Sequence, residues 1–207
     1  MKTIQSLIYK LLAGGVVTAM AFTLAAQTAD QGMAKVVRLK GAARYVSGSK
    51  EGQLLKVGDL IPPGTAIQTA EKSRVDLVLG EGSAPVGGPP AAGDMLTYTP
   101  TVEQNVVQVW ENTLLGIDKL NITRTAGDEV TETQLDLKAG HIFGMVKKLS
   151  AASKYEVKIP NGVAGIRGTV YDISAEGVIK VLSGSVVLAY VGADGQVQTQ
   201  VVMSLQE

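Results

Sequence analysis

Cysteine is absent from all 207 residues, which excludes disulfides, thiol catalysis, thiolate zinc sites and a lipid-modified N-terminal cysteine. Histidine occurs once, at His141, so one chain cannot build a multi-histidine metal site. Aromatic side chains make up 4% and charged ones 18% of the sequence. Basic and acidic residues number 19 each, so there is no basic footprint for nucleic acid and no polybasic arm for a membrane surface. The chain is instead rich in glycine, with 24 residues, and 45% hydrophobic.

Residues 1–10 carry Lys2 and Lys10 and no acid; an uncharged run, Leu-Leu-Ala-Gly-Gly-Val-Val-Thr-Ala-Met-Ala-Phe-Thr-Leu-Ala-Ala, follows at 11–26. A positive start, an apolar middle and small residues at the end form a secretory signal pattern, so residues 1–26 are expected to be a helical signal peptide that is cleaved. The rival is an uncleaved anchor, but a full span needs about 20 apolar residues, and Gly14, Gly15, Thr18 and Thr23 weaken the run. Either way the remainder is expected outside the cytoplasm, in the periplasm or cell envelope, with no membrane span if the signal is removed. An exported chain without cysteine suits a bacterium.

The remainder is long enough for one domain with a sizeable core. Helical periodicity is nearly absent. Short β-rich segments recur at 36–39, 42–46, 74–79, 115–122, 131–137, 141–146, 155–159, 169–174, 178–182, 185–191 and 197–203. Within 74–79, Val75, Leu77 and Leu79 alternate with Arg74, Asp76 and Val78, which predicts one buried and one partly wet face. Glu176-Gly177 and Asp194-Gly195 supply hairpin turns, and Pro62-Pro63-Gly64 and Pro160-Asn161-Gly162 two further reversals. The fold class is all-β, about ten short strands wound as a sandwich or a β-solenoid. A loose echo around Gly41, Gly140 and Gly184, each between two strands, fits a chain that coils back through similar corners. Residues 83–107, with their Pro-Val-Gly-Gly-Pro-Pro-Ala-Ala-Gly run, read as an exposed, low-complexity inserted loop.

Little resembles catalytic chemistry. Gly162-Val-Ala-Gly165-Ile-Arg167-Gly168-Thr169 fails as a phosphate loop, because it lacks the lysine and precedes a strand. Its glycines read as a sharp turn with close packing, and Arg167 as either a surface charge or a buried donor fork. No GxSxG elbow occurs, and His141 beside Ile142 and Phe143 reads as structural. Asp76, Glu129 and Asp136 read as a solvated strand face, and the pairs Asp128/Glu129 and Asp172/Glu176 are not brought onto a common cleft by any pattern. Trp110, the lone tryptophan, reads as a packing residue. No catalytic, metal or cofactor-binding residue is therefore assigned, and no enzymatic activity is expected.

The stretch 155–173, Tyr-Glu-Val-Lys-Ile-Pro-Asn-Gly-Val-Ala-Gly-Ile-Arg-Gly-Thr-Val-Tyr-Asp-Ile, resembles the hallmark of the FecR domain family. In that family a strand runs into a Gly-Val-x-Gly-x-Arg-Gly-Thr turn, followed by alternating valines. The follow-on here is Ile-Lys-Val-Leu-Ser-Gly-Ser-Val-Val-Leu at 179–188. Residues 66–83 and the Leu-Lys-Ala-Gly-His-Ile-Phe segment at 137–143 are similar to two upstream family patterns. The resemblance covers roughly 58–190 and makes Gly162, Gly165, Arg167, Gly168 and Thr169 the family-motif turn. It implies an all-β extracytoplasmic module that binds partners and is not known for catalysis. About ten residues precede the apolar run, too few for the cytoplasmic domain of sigma-regulating members, so that role is not carried over.

The expected organisation is a signal at 1–26, N-terminal strands at 27–57, the FecR-like domain at 58–190 and a C-terminal strand at 191–207. The expected work is binding a protein or a glycan in the bacterial cell envelope. The alternative is an envelope sensor acting through a separate membrane regulator.

Overall fold

The computed structural model describes residues 29–48, 52–81, 104–124 and 128–204, so the expected signal lies outside the described residues. Among these are seventeen strands and no helix, arranged in two sheets, neither of them closed. Strands are numbered in chain order. The larger sheet runs β4 (Gln53–Leu54), β3 (Ala43–Ser47), β6 (Thr65–Thr69), β9 (Leu114–Arg124), β10 (Glu129–Ala139), β12 (Lys154–Ile159), β13 (Gly162–Ile166), β16 (Ser185–Val191) and β17 (Val197–Met203). Its tenth strand, β1 (Ala29–Gln31), pairs with the far part of β9. The smaller sheet runs β5 (Leu60–Ile61), β2 (Met33–Lys40), β7 (Arg74–Glu81), β8 (Asn105–Val109), β11 (His141–Met145), β14 (Val170–Ser174) and β15 (Ile179–Ser183). Apart from the short pieces β1, β4 and β5, the order in each sheet follows the order along the chain. The chain therefore advances from one end of the structure to the other while crossing between sheets. β10 and β12 are parallel, with β11 of the other sheet between them in the chain; the other ladders are antiparallel.

Period-two patterning makes these strands. β10 reads Glu-Val-Thr-Glu-Thr-Gln-Leu-Asp-Leu-Lys-Ala, and its Thr131, Thr133, Leu135 and Leu137 are buried while the residues between them are not. Side chains of both sheets meet in one core that includes Leu77, Val109, Leu115, Leu135, Ile142 and Val157. A fully buried leucine or isoleucine stabilises by about 1.5–3 kcal/mol. Two phenols bridge the sheets inside this core: the Tyr155 and Tyr171 hydroxyls are 3.0 Å apart, with the rings edge to face. Burial pushes both phenols well above their ordinary range. Gly144 makes room, since a Cβ there would sit 2.2 Å from the Tyr171 ring.

The loose glycine echo has a structural meaning. Three pairs of sheet-to-sheet corners are each pinned by a hydroxyl. Ser73 Oγ accepts from Ala42 N and donates to Glu71 O. Thr113 Oγ1 accepts from His141 N at 3.1 Å and lies 3.1 Å from Glu111 O. Thr169 Oγ1 donates to Ser185 O at 2.8 Å, with Arg167 O at 3.1 Å. Each hydroxyl thus reaches a carbonyl two residues back and the residue just after Gly41, Gly140 or Gly184.

Several expectations need correction. Strands among the described residues number seventeen, because short pieces such as β4 and β5 fall below any useful periodicity. The expected loop at 83–107 ends too late: Asn105–Val109 is a strand inside the smaller sheet, paired to both β7 and β11; the rest of that loop, to residue 103, lies outside the described residues. The supposed wet face of β7 is not wet, since Asp76 is 4% and Val78 1% exposed.

Candidate interaction site

The family-motif residues do not form one sharp turn. Gly162 and Gly165 lie within β13, paired on both sides by β12 and β16. Three glycines spaced through a short apolar stretch resemble turn chemistry, yet two of them lie within a ladder, and of these Gly162 is the one that allows close approach. A Cβ at Gly162 would stand 2.5 Å from Ala189 O. Only Arg167 and Gly168 form the bend, with Gly168 at φ +62°. Arg167 is exposed, and its Nη2 donates to Leu149 O at 3.2 Å. Thr169 is buried at 1% exposure and fastens this corner to the start of β16. The motif therefore builds the joint that carries β16 and β17.

Those strands create the most distinctive surface. β13 is Gly-Val-Ala-Gly-Ile, β16 Ser-Val-Val-Leu-Ala-Tyr-Val and β17 Val-Gln-Thr-Gln-Val-Val-Met, with no charge in any of them. Val187 faces Val201, and Val191 faces Val197, across the β16–β17 ladder. Their outer row is open, from Val187 at 45% to Val197 at 74% and Met203 at 72% exposure. A shallow hollow lined by Pro160, Val163, Ala189, Val191 and Val197 continues it. Among the described residues β17 ends the sheet, and no strand of theirs pairs with the outer side of its backbone. Sequence reading found β16 and β17 but neither β13 nor this surface, whose signal was the loss of charge over three strands that become neighbours.

Two other clusters are closed by their own partners. On the outer face of the smaller sheet, Asp76 lies 3.2 Å from Arg74 Nε and 3.5 Å from Arg38 Nη1. Burial raises its pKa, against the opposing pull of Arg74 and then Arg38. Asp76 is therefore not the solvated acid the sequence suggested. Arg74 stands over the Trp110 ring at 5.7 Å, and Trp110 stacks on His141 at 5.3 Å. This places both Trp110 and His141 in packing. The second cluster lines a cavity of about 170 Å³, where Lys147 Nζ meets Glu129 at 3.4 Å and Asn105 Oδ1 accepts from Lys147 N at 3.0 Å. Asp136 is 3.5 Å from Lys138 Nζ.

No helix among the described residues is long and apolar enough to cross a membrane. No curated protein and no solved structure matches the chain. One protein-family comparison does: residues 101–187 match the family described as FecR protein, a narrower stretch than the 58–190 suggested by resemblance, and one that begins within the segment read as inserted. That match runs from just before β8 through the motif joint into β16, and it supports the resemblance to the FecR family carried by the motif.

Proposed function

We propose that this chain is a non-catalytic binding module of the cell envelope, exported by its N-terminal segment, that holds a protein partner at the β13–β16–β17 end. The fold is a sandwich wound in solenoid fashion along its length. The observation that carries the reading is the uncharged outer face of three adjacent strands ending in an open backbone edge. A free edge offers main-chain donors and acceptors to a partner strand, and the aliphatic row beside it adds apolar contact. A protein fits this face better than a glycan, because its most open residues are Val187, Val191, Val197, Val201 and Met203, and Tyr190 is the one aromatic side chain at the adjoining hollow. The absence of catalysis is supported by the acids themselves, of which Asp76, Asp118, Glu129, Glu132 and Asp136 are all engaged with bases.

In-cell crosslinking of the tagged protein, followed by mass spectrometry of its partners and of its N-terminus, tests this. The expected result is an envelope protein crosslinked to β16 or β17, lost on Val201→Lys, with residues 1–26 removed. Crosslinks confined to the Asp118–Lys158 side of the sheet would overturn the reading. The FecR match favours one second reading, because such domains are consistent with an envelope-associated, sensor-like module. Recovery of a membrane regulator together with a retained N-terminus would favour that reading.

A further inference from the structure

We propose that the partner at the open edge is a second copy of this chain, joined by antiparallel pairing of β17 with itself about a two-fold axis at Gln200. The inference rests on the reading of this end as a docking site and names its occupant.

Backbone polarity sets the register. Gly192 N donates to Gln196 O at 2.8 Å and Ser204 N to Gly184 O at 3.2 Å, at the two ends of the β16–β17 ladder. Between them the register runs unbroken from Ser185–Met203 to Val191–Val197. Hydrogen-bonded and non-hydrogen-bonded pairs alternate along an antiparallel ladder. Gln198, Gln200 and Val202 therefore turn their amides and carbonyls toward β16. Val197, Thr199, Val201 and Met203 turn theirs outward to the open edge. An added antiparallel strand must present outward groups at matching positions. Centring a two-fold on Gln200 does so throughout, pairing Val197 with Met203 and Thr199 with Val201, for about eight new backbone hydrogen bonds.

Side chains agree with that register. An isologous contact places a strand against itself, so a charged residue near the axis meets its own charge. β17 has none, nor a proline. Aliphatic Val197 meets Met203, and the Gln200 amides meet each other, each supplying both donor and acceptor. The exposed Val187 and Val191 extend the row on either side of the new ladder. The other ends of the sheets lack these properties: β4 and β5 are two residues long, and β15 carries Lys180.

The absence of cysteine makes the test direct. Gln200→Cys places two thiols across a non-hydrogen-bonded pair, where Cα atoms lie about 4.5 Å apart and a disulfide is allowed. Mild oxidation of the full chain should give a dimer reversed by dithiothreitol. Gln198→Cys, whose opposite residue is Val202, should not crosslink. Sedimentation velocity across a concentration series should show a monomer–dimer equilibrium. Thr199→Pro removes an outward N–H without touching the β16 ladder. It should weaken the dimer at least tenfold while leaving the melting temperature unchanged. A wild-type chain that stays monomeric throughout, or Gln198→Cys crosslinking as readily as Gln200→Cys, overturns the self-pairing. If an envelope protein still crosslinks to β17 in that case, the docking reading stands and only its occupant changes; if nothing crosslinks there, both fall.

Discussion

The outer face of the ten-stranded sheet divides between β12 and β13, and its two parts follow opposite rules on one continuous backbone ladder. On the earlier side, Lys158 meets Asp118 and Lys119 meets Glu132, both at 2.9 Å, while Gln134 donates to Glu156 at 3.2 Å. On the later side no residue of β13, β16 or β17 is charged. The inner faces do not differ in this way, since Leu135, Val157, Ala164 and Val186 are all fully buried. Exposed ion pairs contribute little to stability. What the charged ladder does is keep a face solvated and unattractive to other strands, and where it stops, that protection stops with it. The family motif lies at this boundary: Gly162 and Gly165 begin the uncharged part, and Thr169 anchors it to the corner.

The strongest way to break the division is to detach the uncharged part. Gly162→Val would drive side-chain atoms into Ala189 O, which already lies 2.5 Å from an ideal Cβ. Gly184→Ala would force alanine into φ +86° with its Cβ 2.7 Å from Gly168 O. Each should cost about 3 kcal/mol or more. Gly165→Ala, with 3.6 Å to its nearest neighbour, should stay within about 0.5 kcal/mol. Hydrogen exchange then shows whether the parts are separable. If β16 and β17 lose protection while β9 and β10 keep theirs, the uncharged end is an appendage; uniform loss makes the sheet a single cooperative unit.

A smaller effect tests whether the corners on the two sides are equivalent. Thr169→Val removes the hydroxyl that donates to Ser185 O in a buried setting, and Thr113→Val removes the hydroxyl that accepts from His141 N beside Gly140. Both should lower stability by about 1–3 kcal/mol in denaturant melts. A Thr169 effect well below that of Thr113 would show the motif corner to be the weaker joint.

Much of this was legible in advance, but unevenly. The class, most strand centres, the hairpins at Gly177 and Gly195 and the family followed from period-two patterning, turn residues and one motif. The hydroxyl-pinned corners were half visible: glycine echoes at 41, 140 and 184 stood out, but Ser73, Thr113 and Thr169 sit at unequal spacings and gain meaning only when the corners meet. Asp76 misled because alternation tells which face a side chain points to, not what lies over it. The uncharged surface was hidden for a topological reason. β13 is separated from β16 by a visit to the other sheet through β14 and β15, so strands adjacent in space are apart in sequence. Nothing local marks Gly162–Ile166 as a strand either, since two of its five residues are glycine.

Charging the uncharged part should change binding far more than stability. Val187 and Val201 are cross-strand partners on the outer face. The double variant Val187→Lys, Val201→Glu would extend the ion-pair ladder by one rung, shifting unfolding free energy by no more than about 0.5 kcal/mol. Partner capture at β16–β17 should nevertheless disappear. Retained capture with normal stability would mean that charge pattern does not distinguish the two parts.

The smallest expected effect separates a solvated acid from a buried one by sign. Lys119, hydrogen-bonded to Glu132, holds that carboxyl below its ordinary range, with Asn121 adding to the effect against a small cost of burial. A depressed carboxyl adds stability above its unfolded pKa and loses it as pH falls through the folded value. Glu132 keeps 40% of its side chain exposed, so screening limits the contribution to about 0.3 kcal/mol. Asp76, on the outer face of the other sheet, has its pKa raised by burial despite Arg74 and Arg38. Its contribution is present below the unfolded pKa and is lost as pH rises through the folded one. Melting temperatures between about pH 3 and 6 should therefore respond in opposite directions: Glu132→Gln removes a component that rises with pH, and Asp76→Asn removes one that falls. If both substitutions bend the profile the same way, the argument from burial fails at Asp76, because pairing with the two arginines would then outweigh desolvation.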